Sequence, residues 1–151
     1  MAAERPVHRR LSLTVQLGDG VRSLPAPRAQ LRRWVGACAE TDAQIVLRFV
    51  GEDEGRALNA AYRGRDYATN VLTFTYEESE GIRADIVICL PVVRREAREQ
   101  RKPIGAHLAH LVAHGVLHAG GYEHDTESGA QRMQQRESRL LARFRLPDPW
   151  R

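Results

Sequence analysis

The sequence predicts one α+β domain, residues 1–151, with a small mixed four-stranded β-sheet covered by about five α-helices. Three observations lead there. Segments with two-residue apolar alternation interleave with segments of helical periodicity and then give way to helices alone, in the order β-α-β-α-β-β-α-α-α. No linker, repeat or low-complexity stretch divides the chain. Its 151 residues suffice for a hydrophobic core, and 42% apolar with 28% charged residues is ordinary for a globular protein.

Taken in order, LSLTVQL (11–17) alternates apolar and polar residues and reads as a strand. Pro25 and Pro27 mark a turn. QLRRWVGACAE follows, with Leu31, Trp34, Val35 and Cys38 at helical spacing. IVLRFV (45–50) is a second strand. EDEGRALNAAYRG is a helix with Leu58, Ala61 and Tyr62 on one face and acids in its first turn, where they complement the helix dipole. Gly64 stops it. VLTFTY (71–76) is a third strand, EESEG a turn, and ADIVICL (84–90) a fourth strand. Pro91 opens a helix at the position proline tolerates best, and the charges of its RREAREQR run are expected mostly on a solvated face. Pro103 ends that helix, and IGAHLAHLVAHGVLHAG forms the next. TESGAQRMQQRESRLLARF is the last, with Met133, Leu140, Leu141 and Phe144 apolar, before a short RLPDPWR tail.

No apolar run approaches the roughly 20 residues of a membrane span. The arginine-containing N-terminus is too short before the first strand for a usual leader, so a cytoplasmic protein without membrane association is expected. Cys38 and Cys89 lack metal-ligand spacing and are expected as small core residues. The formal charge is +4, and Lys102 is the one lysine among the basic residues. Such a balance fits a polyanionic partner, but a plain compositional preference for arginine fits it equally well.

Four of the six histidines fall between residues 110 and 125. His110, His114 and His118 recur every four residues and so share a helix face, with Cβ atoms about 5–6 Å apart. A row of largely buried imidazoles needs partners, and a metal supplies one. Two imidazoles at this spacing reach one ion at about 2.0–2.1 Å. Gly120 and Gly121 are suited to left-handed angles that end the helix and reverse the chain. His124 then returns as a third ligand. The resulting H-x3-H-x2-G-x2-H pattern has the spacing of metzincin zinc proteases. Three imidazoles suit zinc, and three protein ligands leave an open position, as in a catalytic site. His110 stands a turn ahead, as an outer partner, a proton carrier or a core residue. Where zinc proteases carry their glutamate base, this chain has Gly115, which argues against peptide hydrolysis.

A second constellation, LNAAYRGRDYATNVLTF (58–74), places Arg63 and Arg65 around Gly64, with Thr69 and Asn70 ahead of a strand. An arginine there is able to hold a phosphate through paired N–H donors. Surface arginines beside a turn-forming Thr-Asn pair explain the same residues.

The stretches L-N-x2-Y-R-x-R-D-Y-x-T-N-V-L-T-F, A-D-I-V-I-C and H-G-V-L-H-A-G-G-Y-E-H-D, in that order, resemble the YbeY family of bacterial endoribonucleases. The likeness runs from about residue 45 to the P-D-P-W tail. It implies a single zinc ion per chain on His114, His118 and His124, and an essential arginine at Arg63. Arg65 and Asn70 become candidate substrate contacts, and His110 and Asp125 candidate outer partners of the metal site. It also implies single-stranded RNA as substrate, with ribosomal RNA and the small ribosomal subunit as partners, in maturation of the 16S rRNA 3′ end and ribosome quality control. The chain departs from the family at Glu123, usually aspartate, at Ala84, usually glycine, and at Ala119 and Gly120, usually leucines. Two other readings compete: a zinc hydrolase of another class, such as a peptidase or amidase, and a ribosome-assembly factor whose zinc is structural.

Overall fold

The computed structural model describes residues 9–150. The expected order of elements is the observed one: β1 (Leu11–Leu17), α1 (Arg28–Cys38), β2 (Ala43–Val50), α2 (Glu52–Arg63), β3 (Val71–Tyr76), β4 (Ile82–Cys89), α3 (Leu90–Glu99), α4 (Ile104–Ala119) and α5 (Glu127–Arg143). The strands form one mixed sheet in the order β1-β2-β4-β3. β1, β2 and β4 run parallel, and β3 pairs antiparallel with β4 along the edge. The small mixed sheet with five helices is therefore the α+β domain that the sequence predicts.

The sheet has two unequal faces. Ala43, Ile45, Leu47 and Phe49 of β2 and Ala84, Ile86 and Ile88 of β4 point one way, into the main core. There they meet Leu31, Trp34, Val35 and Cys38 of α1 and a run of buried residues on α4, with Met133, Leu140 and Leu141 of α5 behind. The alternate residues Val50, Leu72, Val87 and Cys89 form a smaller cluster on the other face, with Leu58 at its margin. Pairing in register along β2 and β4 keeps this division strict, since one residue of slip would exchange the faces.

The boundaries differ from expectation in a few places. The fourth strand starts earlier, at Ile82, and Leu90 belongs to α3, with Pro91 in its first turn. Thr126 is a cap and not the first helical residue: its hydroxyl oxygen accepts the Gly129 N–H at 3.0 Å. α2 does not bury the Leu58–Ala61–Tyr62 face. Its buried residues are Gly55 and Asn59, while Tyr62 is 66% exposed and lies tilted at 60° to Phe74 with ring centroids 4.6 Å apart. The small cluster on that face has room for one close backbone contact, so Gly55 packs where a larger side chain would meet the Cys89 sulfur at 2.9 Å. Both cysteines are buried and free, as expected of core residues. Among the described residues no helix is long and apolar enough to cross a membrane.

Candidate metal centre

α4 is the most buried helix of the fold. Ten of its 16 residues, including Leu108, Leu111, Val112, Val116 and Leu117, are buried between the sheet and α5. That anchoring fixes its histidine face. His114 and His118 look out at one end of the sheet, where β3 begins and α2 ends. An open cleft of about 580 Å³ lies there, lined by His114, His118, His124 and Asp125 on one side. Tyr62, Arg63, Thr69, Asn70 and the first residues of β3 line the other.

The turn that returns His124 works with one left-handed glycine, not two. Gly121 has φ +103°, whereas Gly120 has φ −82° and continues an ordinary backbone. The Gly121 and Tyr122 N–H groups donate to the His118 and Leu117 carbonyls, which closes the helix end. The His124 ring then sits 5.4 Å from that of His114 and 5.9 Å from that of His118, centroid to centroid.

The hydrogen bonds around these rings select one nitrogen on each. Nδ1 of His114 pairs with Oε2 of Glu137 at 3.2 Å, and Nδ1 of His118 donates to the Tyr122 carbonyl at 3.1 Å. Both Nε2 atoms are left as lone-pair donors. Carboxylate or carbonyl partners of this kind are what metal-bound imidazoles have on their far side. Three imidazoles on a tetrahedral ion with bonds of about 2.1 Å place their ring centres about 5.3 Å apart. The His114–His124 spacing of 5.4 Å is close to that, and the His118–His124 spacing of 5.9 Å is wider by about 0.6 Å. Among the described residues no three ligating side chains are drawn tightly enough together to define a metal position. The nitrogen selection and the ring spacing nevertheless fit a three-histidine site.

Glu137 of α5 is the residue that the sequence reading missed. It is fully buried and holds His110 Nε2 at 3.1 Å with the same oxygen that meets His114. Burial raises its pKa, but the two histidine bonds outweigh that and hold the carboxyl below its ordinary value. A signal was available, because Glu137 stands four residues after Met133 and three before Leu140, on the apolar face of its helix. His110 itself lies outside the cleft lining, beneath Trp150, whose ring is 5.3 Å away edge-on. It touches the site only through Glu137 and its neighbour ring.

A second buried network was also missed. His107, 4% exposed, pairs its Nε2 with Oε1 of Glu96 at 3.0 Å. Glu96 accepts the Asn70 side-chain N–H at 3.0 Å, and Asn70 Oδ1 accepts the Val71 N–H at 2.7 Å. The α3 charge run is therefore not wholly a solvated face. Asn70 lines the cleft, but its amide is spent on fixing the start of β3. Arg63 is exposed on the cleft wall at the last position of α2, where Gly64 (φ +67°) turns the chain away. Arg65 is exposed and outside the cleft lining. Asp125 is exposed and within it.

Gly115 has a steric cause. A Cβ there would stand 2.8 Å from Ile86 Cγ2 and 3.4 Å from Thr73 Oγ1. α4 lies so close on β4 at this point that the glutamate of a zinc protease has no room.

Comparison with known proteins gives one answer. Residues 27–145 match the model of the family described as Endoribonuclease YbeY. A protein of that name from Thiobacillus denitrificans is 53% identical over 142 residues, 93% of this chain and 96% of its own. Another from Cupriavidus pinatubonensis is 53% identical over 146 residues, 93% of this chain and 72% of its own. One from Methylibium petroleiphilum is 46% identical over 147 residues, 97% and 99%. The fold resembles the solution structure of a Thermotoga maritima protein, with a TM-score of 0.55 and 25% identity over 92% of this chain and 99% of that one.

Proposed function

The chain belongs to the YbeY endoribonuclease family, and from that premise we propose that it is a zinc-dependent endoribonuclease acting on single-stranded RNA. Its place is in the cytoplasm, in maturation of the 16S rRNA 3′ end, small-subunit biogenesis and ribosome quality control, with ribosomal RNA and the small subunit as partners. The observation that carries the reading is the cleft itself: Arg63 lines one wall and His114, His118 and His124 the other.

His114, His118 and His124 would hold one zinc ion per chain. When bound, the ion supplies Lewis acidity toward oxygen. Glu137 holds the His114 tautomer, and the Tyr122 carbonyl holds that of His118. Arg63 grips non-bridging phosphate oxygens with two N–H donors in one plane and stays charged at any working pH. Asn70 fixes the strand end that forms the wall beside it. The cleft is open, as a chain-like substrate that enters along its length requires.

The test is a cleavage assay on labelled single-stranded RNA with purified protein, before and after chelation, with bound metal measured on the same sample. Cleavage that requires about one equivalent of zinc is the expected result. A zinc-loaded protein that leaves RNA intact but still binds small subunits would make the metal structural and the chain an assembly factor.

A further inference from the structure

We propose that an arginine stripe along α5 binds the phosphate backbone of RNA outside the cleft. The proposal rests on the RNA-cleaving reading and adds a second contact surface to it. Arg132, Arg136, Arg139 and Arg143 lie within roughly 60° of one another around a helix of 3.6 residues per turn. They span about 16 Å along its axis, with steps of about 4.5–6 Å. The stripe flanks the face that α5 buries with Gly129, Met133, Glu137, Leu140 and Leu141, so it takes no part in the core.

Its charge is mostly uncompensated. Arg136 is the one member with an ion pair, to Glu40 at 3.2 Å. Arg132, Arg139 and Arg143 are exposed and have no hydrogen bond or ion pair among the described residues. Three unpaired guanidiniums on one side of a helix are an anion-binding arrangement, and the planar fork suits phosphate. Arg139 and Arg143 stand about 6 Å apart, comparable to the spacing of successive phosphates of an extended strand, and Arg132 and Arg139 about 10.5 Å apart, with the paired Arg136 between them. The stripe also begins beside the cleft. Arg132 shares a surface hollow with Gly121, Tyr122, Glu123 and Thr126, the loop whose next face carries His124 and Asp125 into the cleft. A strand that leaves the cleft over this loop meets Arg132 first. The exposed acids Glu123, Asp125 and Glu127 stand at that end, so the field grows more favourable toward Arg143.

The experiment compares wild type with an Arg132→Gln, Arg139→Gln, Arg143→Gln triple variant, and with the matching triple lysine variant, all zinc-loaded. Binding of a long 2′-O-methyl RNA strand is titrated across a range of salt. The glutamine variant is expected to bind about tenfold or more weakly, and its log K against log salt slope to be shallower by about 2, since each single-strand phosphate contact contributes about 0.7. The lysine variant should recover most of the slope. kcat on long RNA, and kcat/KM on an oligonucleotide that fills the cleft alone, should match wild type in both. An unchanged slope in the glutamine variant overturns the proposal. So does loss of binding to anionic phospholipid vesicles with RNA binding intact, which would give the stripe to a membrane surface. If wild type binds no RNA, the RNA-cleaving reading itself fails, a result distinct from either.

Discussion

Arg63 lines one wall of the cleft and Glu137 stands behind the histidine wall, so substitutions there separate the proposed chemistry from assembly. Arg63 is exposed and makes no packing contact in the core, so Arg63→Ala should leave melting temperature and zinc content near wild type. RNA cleavage should fall by about 10²-fold or more, the scale for removal of one transition-state donor. Arg63→Lys should recover little, because a point charge lacks the planar fork. Unfolding of Arg63→Ala would show a structural arginine instead. Glu137 is the reverse case. Glu137→Gln keeps the shape but loses the charge that two imidazoles share, and zinc affinity should fall by about 10–100-fold, read by competition with a chelator. An unchanged affinity would separate Glu137 from the site. Cys38 gives a pH-dependent readout. Burial pushes its thiol up to about 12 from the ordinary 9.0, although the Arg136 and Arg143 charges oppose this. Folded-state pKa is raised, so its stabilising contribution is complete below 9 and is lost as pH rises toward 12. In the native protein Cys38 should resist alkylation at neutral pH and react only on unfolding.

At the scale of elements, α4 is both the main wall of the core and the carrier of two proposed ligands, His114 and His118. Its contact with β4 at Gly115 is one close constraint on the site. Gly115→Ala gains up to about 1 kcal/mol of helix propensity. It must also push Ile86 out of a 2.8 Å overlap, and overpacking of this kind costs about 1–3 kcal/mol. A net loss of stability in thermal melts is expected, with lower zinc affinity as the helix shifts; a stabilised variant would contradict the close approach. The sequence showed that α4 was a helix with a histidine face, because its period is strong and its bounding proline and glycine are clear. It did not show why Gly115 is glycine, since the reason is a branched side chain on a strand distant in the chain. Glu96 and His107 were illegible for the same cause, and so were the partners of Glu137, although its own place on the apolar face of α5 was a signal. Each is an ionisable residue in an apolar or charged run, and its partner is 11 to 27 positions away. On α2, Leu58 packs at the margin of the smaller cluster, but the fully buried positions, Gly55 and Asn59, are small or polar and give no apolar signal.

For the whole molecule, the cleft joins elements that the main core already holds together. Removal of zinc should lower the melting temperature, because a ligand bound only to the native state stabilises it by mass action. The fold should survive, since 151 residues bury a core without the ion. Circular dichroism of chelated protein at room temperature checks this, and an unfolded apoprotein would sink it. The two walls of the cleft nevertheless differ in one respect. α4 buries ten residues, whereas α2, which ends in Arg63, buries two. In amide hydrogen exchange the α4 protons should therefore wait for global unfolding, while those of α2 exchange through a smaller, cheaper opening. On that expectation the histidine wall is an anchored frame and the arginine wall the side that opens more cheaply. A polymer with no free end nearby can be admitted sideways by the excursion of α2 alone, without disturbing the three histidines.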